Sequence, residues 1–270
     1  MAASTLVVRQ GPGFPSRWNT ACEYSLPGTA SSIQLSNDGM YIGFVAGVGG
    51  SKRGLGMIDE NGFHRSIDVS KDVGCVRLHE DRLYLLMTNT LEGLTCYVAA
   101  YHSESEDLLV QWRYDDRAFY RNKMAVNGEV LYIPDRGSRI ISIYDADGVS
   151  IGHIPCPMLK EELSSSAVFC PKSELLLVRS GCTIEAYDVT TNQGVWHTSL
   201  CGVGEMACDT QRGILYASTD SKPTIMINAL DCRSGQCSHV SVRFTPTIAC
   251  LNSCNAIRSR SYPLLLLIVY

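Results

Sequence analysis

The sequence lacks the segments that would direct a chain into or across a membrane. Its first nine residues contain no basic start followed by an apolar stretch, so they do not read as a secretory signal. The longest apolar run, residues 264–270, is far shorter than the roughly 20 residues that a membrane-spanning helix needs. We therefore expect a cytoplasmic protein with no membrane partner.

Motifs that carry chemistry are also missing. The chain has 12 cysteines, but none are spaced Cys-x-x-Cys, and the closest pairs, Cys232/Cys237 and Cys250/Cys254, have no second pair at a zinc-finger distance. No Gly-x-Ser-x-Gly motif nominates a nucleophile. The six histidines fall on different parts of the strands assigned below and do not converge. We therefore predict no metal site, no cofactor and no catalytic residues.

Composition and charge describe a turn-rich globular protein. Hydrophobic residues make up 45% of the chain and charged residues 19%, with 23 glycines. The net charge of −4 argues against a surface built as a whole to neutralise nucleic-acid phosphates. A chain of 270 residues can fold as one all-β domain, so we expect a single domain over residues 1–270.

A repeat of 43 residues dominates the sequence. Five equivalent apolar residues follow one another at this interval, namely Ile58, Tyr101, Tyr144, Tyr187 and Leu230. The residue after each is Asp59, His102, Asp145, Asp188 and Asp231. An aspartate there predicts a turn in which the carboxylate accepts nearby backbone N–H groups. A fixed period of about 40–50 residues is typical of β-propeller blades.

Each repeat reads as four short strands. Second strands are predicted at residues 40–45, 83–87, 130–133, 175–178 and 214–217, each preceded by a polar turn. First strands carry the alternating pairs Ile33/Leu35, Val76/Leu78, Met124/Val126, Val168/Cys170, Met206/Cys208 and Ile248/Cys250. Because Cys170, Cys208 and Cys250 occupy positions held elsewhere by Leu35, Leu78 and Val126, we predict that they are small buried hydrophobes.

The repeats predict an all-β fold, a β-propeller of six four-stranded antiparallel blades. Five repeats are complete from about residue 31 to 245, and the sixth lacks its third and fourth strands. Residues 6–9 and 20–27 match these missing strands, so residues 1–28 and 246–270 are expected to form one composite blade. The alternative is that residues 258–262 begin the truncated end of a longer propeller.

Two family resemblances follow from particular segments. Residues 127–148, NGEVLYIPDRGSRIISIYDADG, resemble an NHL-type repeat. Residues 184–196 and 98–112 are similar to the repeats of pyrroloquinoline-quinone-type propellers, in which a Trp packs between blades; here the tryptophans are Trp196 and Trp112. The NHL resemblance implies binding of proteins or single-stranded RNA. The quinone-type resemblance implies a periplasmic dehydrogenase or a non-catalytic scaffold.

Three function classes follow from these patterns. The leading interpretation is a non-enzymatic scaffold that binds a protein partner through one loop face of the propeller. The alternatives are an NHL-like module for single-stranded RNA and a propeller enzyme with a site at the mouth of the channel.

The distribution of acidic and basic residues among the turns indicates which face binds a partner. Turns between first and second strands and between third and fourth strands hold fifteen acidic residues and four basic ones, so the basic surplus is available to the opposite face. Arginine beside aromatic residues is typical of binding surfaces. The candidate partner-binding residues are therefore Arg117, Phe119, Tyr120, Arg121, Arg136 and Arg139, and the expected partner is a protein with an acidic segment.

Overall fold

The computed structural model describes fifteen stretches of the chain: residues 4–10, 19–26, 29–35, 40–45, 54–59, 62–67, 71–89, 95–114, 123–160, 165–200, 202–221, 224–237, 242–244, 254–258 and 263–269. The regular elements in these stretches are 24 β-strands. No helix in them is long and apolar enough to cross a membrane.

The strands form six four-stranded sheets. In the order in which neighbouring strands pair, the first three sheets along the chain are β3(Thr29–Leu35), β4(Met40–Val45), β5(Gly54–Asp59), β6(Gly62–Ile67); β10(Leu108–Tyr114), β9(Thr95–His102), β8(Arg82–Asn89), β7(Asp72–His79); and β11(Ala125–Asn127), β12(Val130–Asp135), β13(Ile140–Tyr144), β14(Ser150–Pro155). The next two sheets are β15(Ser165–Cys170), β16(Leu175–Ser180), β17(Thr183–Asp188), β18(Gln193–Ser199); and β19(Val203–Asp209), β20(Ile214–Ser221), β21(Thr224–Asp231), β22(Val242–Phe244). The sixth sheet combines strands from both ends of the chain: β2(Asn19–Leu26), β1(Ser4–Gln10), β24(Pro263–Val269), β23(Cys254–Arg258). The predicted antiparallel four-stranded meander is confirmed. Most of the described side chains belong to the four sheets made by β7 to β22.

The strands group into two compact units. One unit contains residues 1–27 and 168–270, and the other contains residues 28–167. The boundary falls within β15. The single domain and the number of blades in one closed ring therefore stay predictions.

The two ends of the chain share a sheet, as the repeat pattern predicted. β1 pairs antiparallel with β24, with Val8 opposite Leu266, and its other side pairs with β2. β2 and β1 thus supply the fourth and third strands of this sheet, next to its second strand, β24. The predicted first strand at Ile248 and Cys250 lies outside the described residues, and the first strand of this sheet is β23.

The turn chemistry of the repeat is confirmed in the described turns. Oδ1 of Asp188 accepts the backbone N–H groups of Thr190 at 2.8 Å and Thr191 at 2.9 Å, and Asp145 and Asp231 do the same in their own turns. In the second repeat, Nδ1 of His102 accepts the N–H of Ser105 at 3.1 Å. The residue at this repeat position therefore closes the turn with either acceptor, a carboxylate oxygen of Asp or a ring nitrogen of His.

The core of each unit is formed by the inner strands of its sheets. In residues 28–167, Leu83, Leu85 and Val98 are fully buried. In the other unit, Leu177, Leu215 and Leu230 are fully buried. These six residues lie on second and third strands, so the two inner strands of these sheets supply the core of the described residues.

The two fourth-strand tryptophans pack against glycines of the following sheet. The Trp112 ring lies against Gly148, and the Trp196 ring lies against Gly235 in the same way. Both glycines have positive φ values, +81° and +68°. Each tryptophan is partly buried between successive sheets, as the sequence predicted.

Candidate functional site

The acidic turns of the unit formed by residues 28–167 lie together at one end of its strands. They follow first and third strands, and the carboxylates are Glu80, Asp81, Glu104, Glu106, Asp107, Glu129, Asp145 and Asp147. Arg82, the first residue of β8, is the one arginine or lysine directly next to these described turns. We call these eight carboxylates the acidic edge.

Contacts between neighbouring turns make the acidic edge continuous. The N–H of Ser103, in the β9–β10 turn, donates to the carbonyl of Asp81, in the β7–β8 turn, at 2.7 Å. Arg82 then reaches the next sheet, where its Nη1 lies 3.9 Å from Oδ1 of Asp147. Two successive sheets thus present their carboxylates side by side.

The buried phenol of Tyr84 experiences the negative charge of the acidic edge. Burial raises its pKa above the ordinary value, and the nearby Arg82 lowers it. Glu129 and Asp147 each raise it further. Because both carboxylates act on one hydroxyl, the turns of β11–β12 and β13–β14 lie close to β8.

Exposed apolar side chains follow directly after the acidic turns. Leu108 and Leu109 begin β10 with 52% and 46% of their surface exposed, and Val149, just before β14, and Ile151, on β14, are 58% and 55% exposed. β10 and β14 are fourth strands, which form one border of their sheets. Large exposed apolar groups beside like charges mark a surface suited to binding.

The opposite ends of the same strands hold buried polar residues instead. Lys123 is 6% exposed, and its Nζ donates to the carbonyl of Gly74 at 2.8 Å. The backbone of Lys123 also bonds to Ser165 and Ala167. These bonds link the first strands β7, β11 and β15, so this buried cation supports the strand starts rather than an open binding face.

The predicted partner-binding residues are divided by the structure. Arg117, Phe119, Tyr120 and Arg121 lie outside the described residues. Arg139 is exposed in the β12–β13 turn with a φ of 55°. Arg136, directly after β12, is only 4% exposed, so it does not lie on an exposed surface as the prediction required.

The other unit repeats this use of a buried cation. Nη1 of Arg179, on β16, donates to the carbonyl of Val203 at the start of β19 at 2.8 Å. Burial lowers the pKa of Arg179, and the nearby carboxylate of Glu205 opposes this shift. The arginine therefore joins two successive sheets through a backbone carbonyl.

Three cysteines of the same unit come together, which the spacing analysis missed. The Sγ atoms of Cys170, Cys208 and Cys232 all lie within 4.8 Å of one another. Cys170 and Cys232 are buried, and Cys208 is half-buried. The prediction of buried thiols therefore holds for Cys170 and in part for Cys208, while Cys250 lies outside the described residues. The sequence signal was the shared repeat position of Cys170 and Cys208, one residue type in two neighbouring blades.

The thiols in this cluster interact strongly. Hydrogen bonds from Cys208 and Cys232 lower the pKa of Cys170 far below its usual range. The same bonds to Cys170 raise the pKa of Cys208 and of Cys232. One sulfur in the cluster thus carries negative charge most readily, and the other two donate to it.

Comparisons with known proteins give the fold. No protein-family model matches the sequence, and no curated protein is similar to it in sequence. A crystal structure of a protein of unknown function from Bacteroides caccae has a TM-score of 0.67 and 12% identity, covering 96% of this chain and 100% of that one. The Pan2 WD40 domain from Neurospora crassa has a TM-score of 0.59 and 11% identity, covering 85% of this chain and 69% of that one.

These similarities show an all-β propeller with antiparallel sheets. The predicted propeller is thereby confirmed at the level of the fold. The neighbours do not bear on the NHL-type or quinone-type resemblance, which stays a prediction.

Proposed function

We propose that this propeller is a scaffold that binds a protein partner at the acidic edge of residues 28–167. Propellers offer rigid, extended surfaces of loops and strand borders, and protein binding is a common use of the fold. The observation that carries the proposal is the continuous acidic edge with four exposed apolar side chains beginning the strands beside it.

The chemistry of this surface identifies the partner segment. Eight carboxylates against one arginine favour a segment rich in lysine or arginine, because complementary charge speeds association and excludes wrong partners. The same carboxylates repel nucleic-acid phosphates. Leu108, Leu109, Val149 and Ile151 need apolar groups opposite them, so the segment should also carry aliphatic or aromatic residues.

Burial of the apolar groups supplies much of the affinity. Each of the four side chains is about half exposed, so completing its burial contributes about 1 kcal/mol. Exposed charge pairs contribute about 0–1 kcal/mol each and act mainly on the association rate. The affinity should therefore depend on the apolar residues, and its salt dependence on the carboxylates.

A peptide-display selection against the purified protein tests the proposal. Peptides that combine basic and apolar residues should be enriched, and Leu109→Ser with Ile151→Ser should weaken the selected peptides by about tenfold or more. The matched control is Val195→Ser, which removes a similarly exposed apolar residue, 52% exposed, from a fourth strand of the other unit. Equal loss in the control variant would show that the acidic edge is not the site.

The opposite face gives the second candidate partner. Arg139 is exposed there, and Arg117, Phe119, Tyr120 and Arg121 complete the proposed set for an acidic protein segment. Enrichment of acidic peptides whose binding is lost in Arg139→Ala would favour that face. Binding of single-stranded RNA with a steep salt dependence would instead favour the RNA alternative.

We also propose that six blades close the propeller through the composite sheet of β1, β2, β23 and β24. The pairing of β1 with β24 supports this closure, because it leaves neither terminal strand with an open border. An enzyme with a site at the channel mouth stays a prediction.

A further inference from the structure

Three cysteines from three different strand ends meet in the unit that contains residues 168–270. Cys170 ends β15, Cys208 lies near the end of β19, and Cys232 follows β21. Among the described residues, they are the one group of three histidine, cysteine or acidic side chains placed to share an ion.

The backbone holds these thiols in place without help from the sulfurs. The N–H of Cys232 donates to the carbonyl of Gly213 at 2.9 Å, and its carbonyl accepts from Nε1 of Trp196 at 2.9 Å. Cys208 pairs with Leu215 in the β19–β20 ladder. The three side chains thus converge because the sheets position them, which is the preorganisation that a ligand site requires.

The distances between the sulfurs suit a shared metal ion. Sγ of Cys208 lies 3.8 Å from Sγ of Cys232, and the cluster spans at most 4.8 Å. Metal–thiolate bonds of about 2.3 Å in a tetrahedral arrangement place two sulfurs about 3.8 Å apart. We propose that Cys170, Cys208 and Cys232 bind one soft metal ion through three thiolates.

The donor set restricts the ion to a thiophilic one. Thiolates select Cu(I) and Zn²⁺ over the harder ions that prefer carboxylates and water. Three sulfurs complete a trigonal site for Cu(I), whereas Zn²⁺ keeps a fourth position for water or a substrate.

Polar contacts hold the backbone around the cluster. The side-chain hydroxyl and the backbone N–H of Ser173 donate to the backbone carbonyl of Cys170 at 3.5 and 3.3 Å. Nζ of Lys172 lies 3.1 Å from the carbonyl of Arg212, which places a cation over the turn that precedes β20. These contacts fix the turns on either side of the cluster, which helps to hold the thiols in place.

The competing explanation is that the cysteines only fill the core. Cys170 and Cys232 pack among leucines of the unit, and repeat neighbours of Cys170 are leucine or valine. Packing alone explains Cys170, but it does not require a cysteine at the turn position of Cys232, where the other four repeats have Glu60, Ser103, Ala146 and Val189. Metal binding explains why three cysteines occupy adjacent places in one layer.

Metal titration of the full chain tests the proposal. The protein is purified with its thiols reduced and its metals removed, and then titrated with Zn²⁺ or Cu(I) against a chromophoric chelator. One ion should bind per chain, with release of protons from the thiols and a rise in Tm. Cd²⁺ should produce a thiolate-to-metal charge-transfer band of the intensity expected for three sulfurs.

Serine variants separate the cluster from other thiols. Cys208→Ser should weaken binding at least 100-fold, and Cys182→Ser with Cys237→Ser, which alters two exposed cysteines, should leave it unchanged. Because Cys208 is half-buried, its variant should stay folded by circular dichroism; Cys170→Ser gives a second test. If the protein binds Zn²⁺ more tightly than Cu(I), or the reverse, the tighter ion is identified as the ligand, and either result supports the site.

Three results would overturn the proposal. One is that the reduced protein binds neither ion at stoichiometric concentration. Another is that Cys208→Ser binds as tightly as the unaltered chain. The third is formation of a Cys208–Cys232 disulfide in air while added metal protects neither thiol, because the pair would then be a redox site rather than a metal site.

Discussion

Replacement of Gly148 by alanine should destabilise the propeller through the tryptophan packed against it. A Cβ at this position would lie 2.5 Å from Cδ2 and Cε3 of the Trp112 ring, closer than carbon atoms can approach. The backbone φ of +81° adds a second penalty, because side chains with a Cβ disfavour the left-handed region.

The expected cost is the sum of these two effects. A left-handed alanine costs about 1–2 kcal/mol, and displacement of a packed ring costs about 1–3 kcal/mol. Gly148→Ala should therefore lower the free energy of unfolding by about 2–5 kcal/mol. Gly128, with a φ of +58° and no atom within 4 Å of an added Cβ, is the matched control, and Gly128→Ala should cost only about 1–2 kcal/mol.

Urea unfolding followed by tryptophan fluorescence and circular dichroism measures both costs. In a Trp112→Leu background, the excess cost of Gly148→Ala over Gly128→Ala should disappear, because the ring that it displaces is gone. Equal costs for the two alanine variants, or an excess that persists without Trp112, would refute the packing explanation. Gly235→Ala should cost about 1 kcal/mol more than Gly148→Ala, since Trp196 is also anchored by a 2.9 Å hydrogen bond.

Three further measurements follow from the structure. Backbone N–H groups hold the pKa of Asp188 below its ordinary value in the folded protein. The stabilisation that the Asp188 carboxylate gives is therefore present above about pH 3.9, and it is lost as the pH falls through the lower pKa of the folded state. In this pH window, the urea midpoint of Asp188→Asn should vary less than that of the unaltered chain. Deletion of residues 1–28 should lower Tm by several degrees or prevent folding, because β1 pairs with β24, and an unchanged Tm would contradict the shared sheet. A thiol reagent should modify the exposed Cys182 and Cys237 in the native protein and should reach the buried Cys75 only after unfolding. Mass spectrometry of the labelled protein measures the modification of each cysteine. Labelling of Cys75 in the native protein would contradict its burial.

The local elements of this fold could be predicted from the residues alone. Apolar alternation and polar turns placed the second strand at residues 40–45, which is β4, and the aspartates after third strands were correctly assigned to turns. These features depend on interactions between residues a few positions apart, so every repeat carries its own copy of the signal.

The pairing of the chain ends could also be predicted, because the 43-residue period extends into residues 6–9 and 20–27. The first strand of that sheet was predicted at Ile248 and Cys250, which lie outside the described residues, and the strand that pairs with β24 in the structure is β23.

The candidate sites depended on tertiary structure. Arg136 and Arg139 lie in the same β12–β13 turn and look alike in the sequence, yet Arg136 is buried and Arg139 is exposed. The acidic edge and the cysteine cluster each join residues from successive sheets, so no spacing along the chain reveals them. The sequence by itself determined the repeating blade and its turns, because both follow from short-range periodicity. Only the folded arrangement of the sheets within each unit decided which side chains meet, because those contacts join residues far apart in the chain.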